Sequence, residues 1–212
     1  MIFWVGTLDN SNYIVVDDFC EAPEVVVDSV HAAGFGTWLP NKGKVGSSIY
    51  EGMGFWGHHA LLLAPLMAAV GNVIVPNSTF FRVTNVGMEN AYIHSDREGG
   101  NYTAVVYLSD HSVPSGTAFY RHKRTGLESM PSFAEMERMG ILEELKADMV
   151  SRDMTKWEQL AEVEGKYNRA LIFEAPLFHS RFPVDGIGEN EKDGRLVWVS
   201  HFYKLAGDGS LF

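Results

Sequence analysis

Residues 93–109 read Ile93-His94-Ser95-Asp96-Arg97-Glu98-Gly99-Gly100-Asn101-Tyr102-Thr103-Ala104-Val105-Val106-Tyr107-Leu108-Ser109. A histidine and an aspartate two positions apart close one apolar segment, Ala91 to His94, and a Gly-Gly-Asn turn leads into a second, Tyr102 to Leu108. Short runs rich in β-branched and aromatic residues, separated by Gly, Asn, Asp and Ser, are the pattern of antiparallel strands. At a strand end, side chains two positions apart share a face. His94 and Asp96 can therefore offer an imidazole nitrogen and a carboxylate oxygen to one metal ion. The rival reading is a surface turn with a strand-end histidine and a capping aspartate.

Working outward, the same texture recurs at Ser78 to Asn85, Thr117 to His122, Arg169 to Glu174, near Leu177 to Phe182, and at Arg195 to Lys204. Asn12 to Asp17 reads as a first strand. Glu24 to Ala33 follows as a helix with Pro23 near its start, and His59 to Gly71 has helical spacing around Pro65. Thr37 to Gly57 is glycine-rich and irregular. Ser132 to Gly165 is polar and amphipathic, with Glu, Lys, Met and Leu at helical spacing, and predicts two helices. Met130, Met136, Met139, Met149 and Met154 suit an adaptable apolar face there. That block reads as a surface packing element, with a lid or dimer contact as the alternative. The order predicts a mainly β double-sheet jelly roll (a double-stranded β-helix, cupin-like) with flanking helices. It would be a single domain over 1–212 with a helical insertion at about 132–165.

Composition bounds the function. The 212 residues are 46% apolar and 21% charged, as expected of one globular domain. The net charge is −10, which argues against a bulk nucleic-acid or anionic-membrane binder, because phosphate neutralisation needs a basic surface. Cys20 is the single cysteine. It excludes an intrachain disulfide and cysteine-based zinc clusters, and it reads as a small buried hydrophobe. The longest apolar run, Ala60 to Val70, is too short to span a membrane. With no basic leader at Met1-Ile2-Phe3-Trp4, a cytoplasmic protein is expected. His-Glu-X-X-His, phosphate-binding loops and Gly-X-Ser-X-Gly are absent. His58-His59 reads as structural or as substrate-loop material. His111, His122 and His201 have no carboxylate at ligand spacing. Tyr120-Arg121-His122-Lys123-Arg124 reads as a solvated basic turn.

A second histidine, His179, ends another predicted strand. Two histidines and one carboxylate make the facial triad of non-haem Fe(II) oxygenases, which leaves three coordination positions open. Several motifs extend the pattern: His94-Ser95-Asp96, Val106-Tyr107-Leu108-Ser109, Ser115-Gly116-Thr117-Ala118-Phe119, Asn168-Arg169-Ala170-Leu171-Ile172-Phe173, His179-Ser180-Arg181-Phe182-Pro183-Val184 and Gly194-Arg195-Leu196-Val197-Trp198-Val199-Ser200. With these, and the opening Ile14-Val15-Val16-Asp17-Asp18-Phe19, the chain resembles the 2-oxoglutarate and Fe(II)-dependent dioxygenases, particularly their prolyl-4-hydroxylase-like branch.

The resemblance implies Fe(II) held by His94, Asp96 and His179, with 2-oxoglutarate as co-substrate. It implies Arg195 on the distal carboxylate of 2-oxoglutarate and the Tyr107 hydroxyl beside it. Thr103 and Ser200 would face the same cavity by strand alternation. The expected reaction consumes O2 and 2-oxoglutarate, releases succinate and CO2, and hydroxylates a peptidyl residue, an amino acid or a small metabolite. Arg195 lies further beyond His179 than the family's basic residue does, with 185–194 as a lengthened turn, and Arg181 is its rival for the carboxylate. Two other classes stay open: a non-catalytic jelly-roll binding module, and a cupin-like metal enzyme that does not use 2-oxoglutarate. Substrate and oligomeric state stay open as well.

Overall fold

The computed structural model describes residues 2–8, 12–33, 36–37, 48–50, 56–86, 93–110, 113–151, 153–183, 186–190 and 192–205. Its elements run β1 (Ile2–Thr7), β2 (Asn12–Asp17), α1 (Pro23–Ala33), β3 (Gly36–Thr37), β4 (Ser48–Tyr50), α2 (Trp56–Val70), β5 (Ile74–Thr84), β6 (Tyr102–Tyr107) and β7 (Gly116–His122). Then come α3 (Phe133–Met139), α4 (Leu142–Ser151), β8 (Trp157–Glu164), β9 (Arg169–Glu174), β10 (His179–Phe182) and β11 (Arg195–Lys204). Ala91 and Tyr92 of the expected strand, His111, and most of the 37–57 stretch lie outside the described residues.

Eight strands form one antiparallel sheet in the order β1-β2-β9-β6-β11-β5-β4-β3, and three form a second in the order β10-β7-β8. The sheets meet over Tyr13, Val15, Val105, Tyr107, Leu171, Phe173 and Val197 on one side and Phe119 and Val163 on the other. The outer face of the large sheet is covered by α1 and α2, through Val26, Val30, Leu62 and Leu66 against Phe81, Val106, Leu196, Trp198 and Phe202. The outer face of the small sheet is covered by Met136, Ile141 and Leu145 of the α3–α4 region, against Ala118, Tyr120 and Trp157. This is the expected double-stranded β-helix with flanking helices. Coverage on both faces explains why the central strands read as near-continuous apolar runs. Tyr102–Tyr107 is buried at all but its first position, so period-2 alternation is muted there.

The helical block ends earlier than its composition predicts. Ser132 caps α3 in a capping box with Glu135, and Gly140 ends it in the left-handed region at φ 68°. After α4, however, Trp157–Glu164 is a strand rather than helix. Across from β7, Phe119 pairs with Ala161 and Tyr120 with Gln159, so Leu160 is an extra residue in the ladder. Such a bulge breaks the period of 2. It leaves Trp157, Leu160 and Val163 at a spacing of three, which imitates a helix. The basic run at 120–124 is also not a solvated turn. Tyr120 and His122 are buried in β7, Arg121 pairs with Glu128 and Glu158, and Arg124 pairs with Glu144.

Among the described residues, no helix is long and apolar enough to cross a membrane. Cys20 is buried, and its backbone N–H and C=O are both bonded to the Asn168 side chain. His59 is structural: its Nδ1 accepts from Trp198 Nε1–H at 2.9 Å and its ring stacks on Phe81. The side chain of His58 lies outside the described residues.

Candidate metal centre and anion site

His94 and His179 lie opposite each other in an isolated antiparallel bridge, exchanging backbone hydrogen bonds of 3.0 and 2.9 Å. The Asp96 N–H donates to Ala175 O at 2.9 Å, which ties the loop after His94 to the end of β9. Asp96 precedes a short 3-10 turn, Arg97–Gly99, but its side chain makes no capping bond. That disposes of the capping-aspartate reading, because the carboxylate turns toward imidazoles instead. His94 Nε2 stands 3.6 Å from Asp96 Oδ1, and His179 Nε2 stands 3.3 Å from Oδ2. One ligating atom from each of His94, Asp96 and His179 falls within 4.8 Å of the others, so the three can hold one metal ion. The His94 side chain is 37% exposed and that of His179 7%, so His94 marks the accessible side of the centre.

The donor set suits a transition metal. His179 Nδ1 lies 2.9 Å from Leu177 O, and a carbonyl only accepts, so Nδ1 carries the proton in this bond. A neutral His179 then aims the bare Nε2 lone pair at the Asp96 carboxylate. Two acceptors 3.3 Å apart need a cation or a proton between them. The second-nitrogen bond to a backbone carbonyl is the usual device for orienting a ligating imidazole. Burial by itself would raise the Asp96 carboxyl, but the imidazoles of His179, His201 and His94 outweigh it and hold the group well below the ordinary carboxylate range. Burial lowers the His179 imidazole, and the Asp96 charge and the Leu177 carbonyl together raise it above its ordinary value.

On the inner face of the same sandwich, Arg195 opens β11 opposite Thr84 of β5. It is 6% exposed. Its Nη2 donates to Gly116 O at 3.3 Å, and its Cζ lies 5.3 Å over the Tyr107 ring. The Tyr107 hydroxyl donates to Thr117 Oγ1 at 2.9 Å. Among the described residues, the buried Arg195 Nε–H and Thr84 hydroxyl have no hydrogen-bond partner. Burial pushes the guanidinium down to about 10, and the Arg181 charge adds to the fall. Among the described residues no carboxylate neutralises it. A buried cation with an orphaned donor is the complement of a carboxylate, which a guanidinium binds bidentately. Arg181 and Arg195 are thus within electrostatic reach of each other, so the structure brings the two rivals to one region.

The two positions expected to share one cavity by strand alternation fall on opposite faces. Thr103 lies on the inner face of β6, and its hydroxyl donates to Asp96 Oδ2 at 3.1 Å, so it serves the Asp96 carboxylate. Ser200 is on the wrong face for the cavity. The regular β6–β11 register puts Val197, Val199 and His201 inward, Arg195 shares their face two positions earlier opposite Thr84, and Leu196, Trp198 and Phe202 join the helix layer. Ser200 sits with the latter and bonds Thr79 Oγ1 at 3.1 Å.

Two histidines dismissed in the sequence do have carboxylate partners. His201 Nε2 is 3.5 Å from Asp96 Oδ2. His122, fully buried, lies 2.9 Å from Asp148 Oδ2 and from Thr125 Oγ1. No spacing in the sequence announces either pair, since the partners come from separate elements. A period-2 reading of Arg195 to Lys204 would have put His201 on the same face as Arg195.

A search of curated proteins finds no match to the sequence. The fold is similar to that of HygX from Streptomyces hygroscopicus with iron bound, at a TM-score of 0.58 and 13% identity over 92% of this chain and 82% of that one. It is similar to HygX with nickel and 2-oxoglutarate bound, at a TM-score of 0.53 and 15% identity over 92% and 83%. A third likeness is to SnoN, a non-haem 2-oxoglutarate-dependent epimerase from nogalamycin biosynthesis, at a TM-score of 0.52 and 13% identity over 91% and 80%. At these identities the likeness is one of fold. Residues 85–202, more than half of the chain and including His94, Asp96, His179 and Arg195, match a family of unknown function, DUF6445, and the chain belongs to that family.

Proposed function

We propose that this protein is an Fe(II)- and 2-oxoglutarate-dependent oxygenase that hydroxylates its substrate. The observation that carries the reading is that two complementary sets of groups share one inner face. One is the cluster of ligating atoms from His94, Asp96 and His179, all within 4.8 Å of one another. The other is the buried guanidinium of Arg195 opposite Thr84. The first suits a metal ion, and the second suits the distal carboxylate of 2-oxoglutarate. The fold shared with structures that hold iron, or nickel with 2-oxoglutarate, supports the same pair of ligands.

In this reading His94 Nε2, His179 Nε2 and an Asp96 oxygen would hold Fe(II). With 2-oxoglutarate and O2 the metal would supply oxidative decarboxylation to succinate and CO2, one oxygen atom going to succinate and the other to substrate. The chain's own work is positional. The Leu177 carbonyl fixes the His179 tautomer. Arg195 takes the distal carboxylate, with Tyr107 packed against the guanidinium and Arg181 reinforcing the positive field. Val105, Val197 and Phe173 close the interior to water. The motif sequence His94-Ser95-Asp96 with Val106-Tyr107-Leu108 is the ground for the prolyl-4-hydroxylase-like branch, and so for a peptidyl, amino-acid or small-metabolite substrate. The buried lone Cys20 accords with a reducing cytoplasm, where iron stays ferrous.

The test is an anaerobic titration of the apo-protein with Fe(II) and then 2-oxoglutarate, followed by visible absorption. A metal-to-ligand charge-transfer band that needs His94, Asp96 and His179 is expected. No band from folded protein with iron available refutes the reading and favours the non-catalytic module or a metal enzyme without 2-oxoglutarate.

A further inference from the structure

The Asp96 carboxylate has more neighbours than a three-residue centre requires. Besides His94 and His179, its Oδ2 is reached by Thr103 Oγ1 at 3.1 Å and by His201 Nε2 at 3.5 Å. Thr103 and His201 face each other across the β6–β11 ladder, so both project inward at the same level of the sandwich. His201 is not among the residues whose ligating atoms all lie within 4.8 Å of one another. It touches the carboxylate without joining the ligand set.

The ring is also held from behind. Phe80, on the neighbouring strand β5, meets it edge-on with centroids 6.0 Å apart. On the other side lies Gly99, at the end of the turn that follows Asp96. A Cβ at Gly99 would stand 2.6 Å from His201 Nδ1 and 2.8 Å from its Cγ. Glycine there lets the turn carrying Asp96 lie against the imidazole.

We propose that His201 is a positioning residue for the metal carboxylate: together with Thr103 it donates to Asp96 Oδ2 and fixes the rotation of the carboxylate, so that the group meets the metal in one orientation. This rests on the reading of His94, Asp96 and His179 as metal ligands. A carboxylate is free to turn about its terminal torsion, which is broad and poorly restrained by rotamer preference. Two donors on one oxygen remove that freedom. Donors of this outer kind are worth 10–100-fold in metal affinity.

The experiment is a Co(II) titration of the apo-protein, read by calorimetry and by the visible d–d bands of the bound ion. His201→Leu removes the donor and should weaken Co(II) binding roughly 10–100-fold, with altered bands and an unchanged far-UV circular dichroism spectrum. His201→Gln sets an amide N–H near the Nε2 position and should restore most of the affinity. Should the leucine variant fail to fold, Gly99→Ala displaces the ring without deleting it and should weaken binding in the same direction. Wild-type affinity in the leucine variant, while Asp96→Ala abolishes binding, overturns the role of His201 alone. Loss in His201→Gln as deep as in His201→Leu overturns the donor role. Failure of the wild type to bind Co(II) overturns the metal reading, and this inference with it.

Discussion

Arg195→Met should raise the stability of the apo-protein and destroy its affinity for 2-oxoglutarate. The two effects come from the same buried charge. Burial pushes the guanidinium down to about 10, and a fall of that size corresponds to about 3 kcal/mol against the charged form in the folded state. This cost is present at all pH values below 10, because the folded-state value is depressed and the group is cationic. Methionine removes it and fills the space. Set against this are the hydrogen bond to Gly116 O and the contact with the Tyr107 ring, each worth about 1 kcal/mol. The balance is a gain of about 1 kcal/mol, which raises Tm by roughly 2–4 °C in a chain of this size. The opposite sign applies to binding. Two charge-assisted hydrogen bonds to a carboxylate contribute about 3–6 kcal/mol, so affinity for 2-oxoglutarate should fall by roughly 10²–10⁴-fold. Scanning calorimetry of the apo-protein and isothermal titration with 2-oxoglutarate on the Mn(II)-loaded protein read the two signs. A lowered Tm with unchanged 2-oxoglutarate affinity would refute the reasoning, since it is the signature of a guanidinium serving only the fold.

Three further outcomes are expected. His94→Ala or Asp96→Ala should abolish 2-oxoglutarate turnover while circular dichroism stays that of the wild type, and unchanged turnover in both would reject the metal centre. His122→Leu leaves the Asp148 carboxylate without its 2.9 Å hydrogen-bond partner, although Lys156 stays 3.9 Å from it; an unsatisfied buried acceptor costs about 1–3 kcal/mol, a fall in Tm of roughly 2–12 °C by thermal melt, with 2-oxoglutarate binding intact at low temperature. The forked hydrogen bonds from Arg169, at 2.6 and 3.1 Å, hold the Asp17 carboxyl below its ordinary range. The pair's stability is therefore present above the unfolded-state carboxylate value and lost as pH falls through the lower folded-state value. Asp17→Asn should cost about 1 kcal/mol near neutral pH and almost nothing at the acid end, a convergence that urea melts across pH would show or deny.

Where side chains two apart and their flanking turns carry the information, the chain could be read directly. His94-Ser95-Asp96, His179 and the full extent of Arg195–Lys204 are of this kind: each is local, and the strands around them have apolar β-branched cores. Trp157–Glu164 was opaque because one bulged residue shifts its apolar positions from a spacing of two to a spacing near three, and its many glutamates are good helix formers. Ile2–Thr7 is a strand on the strength of its pairing with β2, not of its own pattern. Ser200 was misplaced by one step of alternation relative to Arg195, and one step reverses the face.

The chemistry of the candidate centre was therefore written in residue types and short spacings: one carboxylate, two imidazoles, one arginine, strands to carry them and no second cysteine. Which groups meet was decided by sheet order. Placing β11 between β6 and β5 brings His201 beside Thr103 and over Asp96, sets Arg195 against Thr84, and sends Ser200 to the helix layer. The packing of α4 and β8 on β7 delivers Asp148 to His122. Local spacing specifies the face of a strand but not its neighbour, and the pairing of distant strands is settled by the burial of whole faces against each other. The buried donors of Arg195 and Thr84 that find no partner among the described residues exist only once that burial has excluded water.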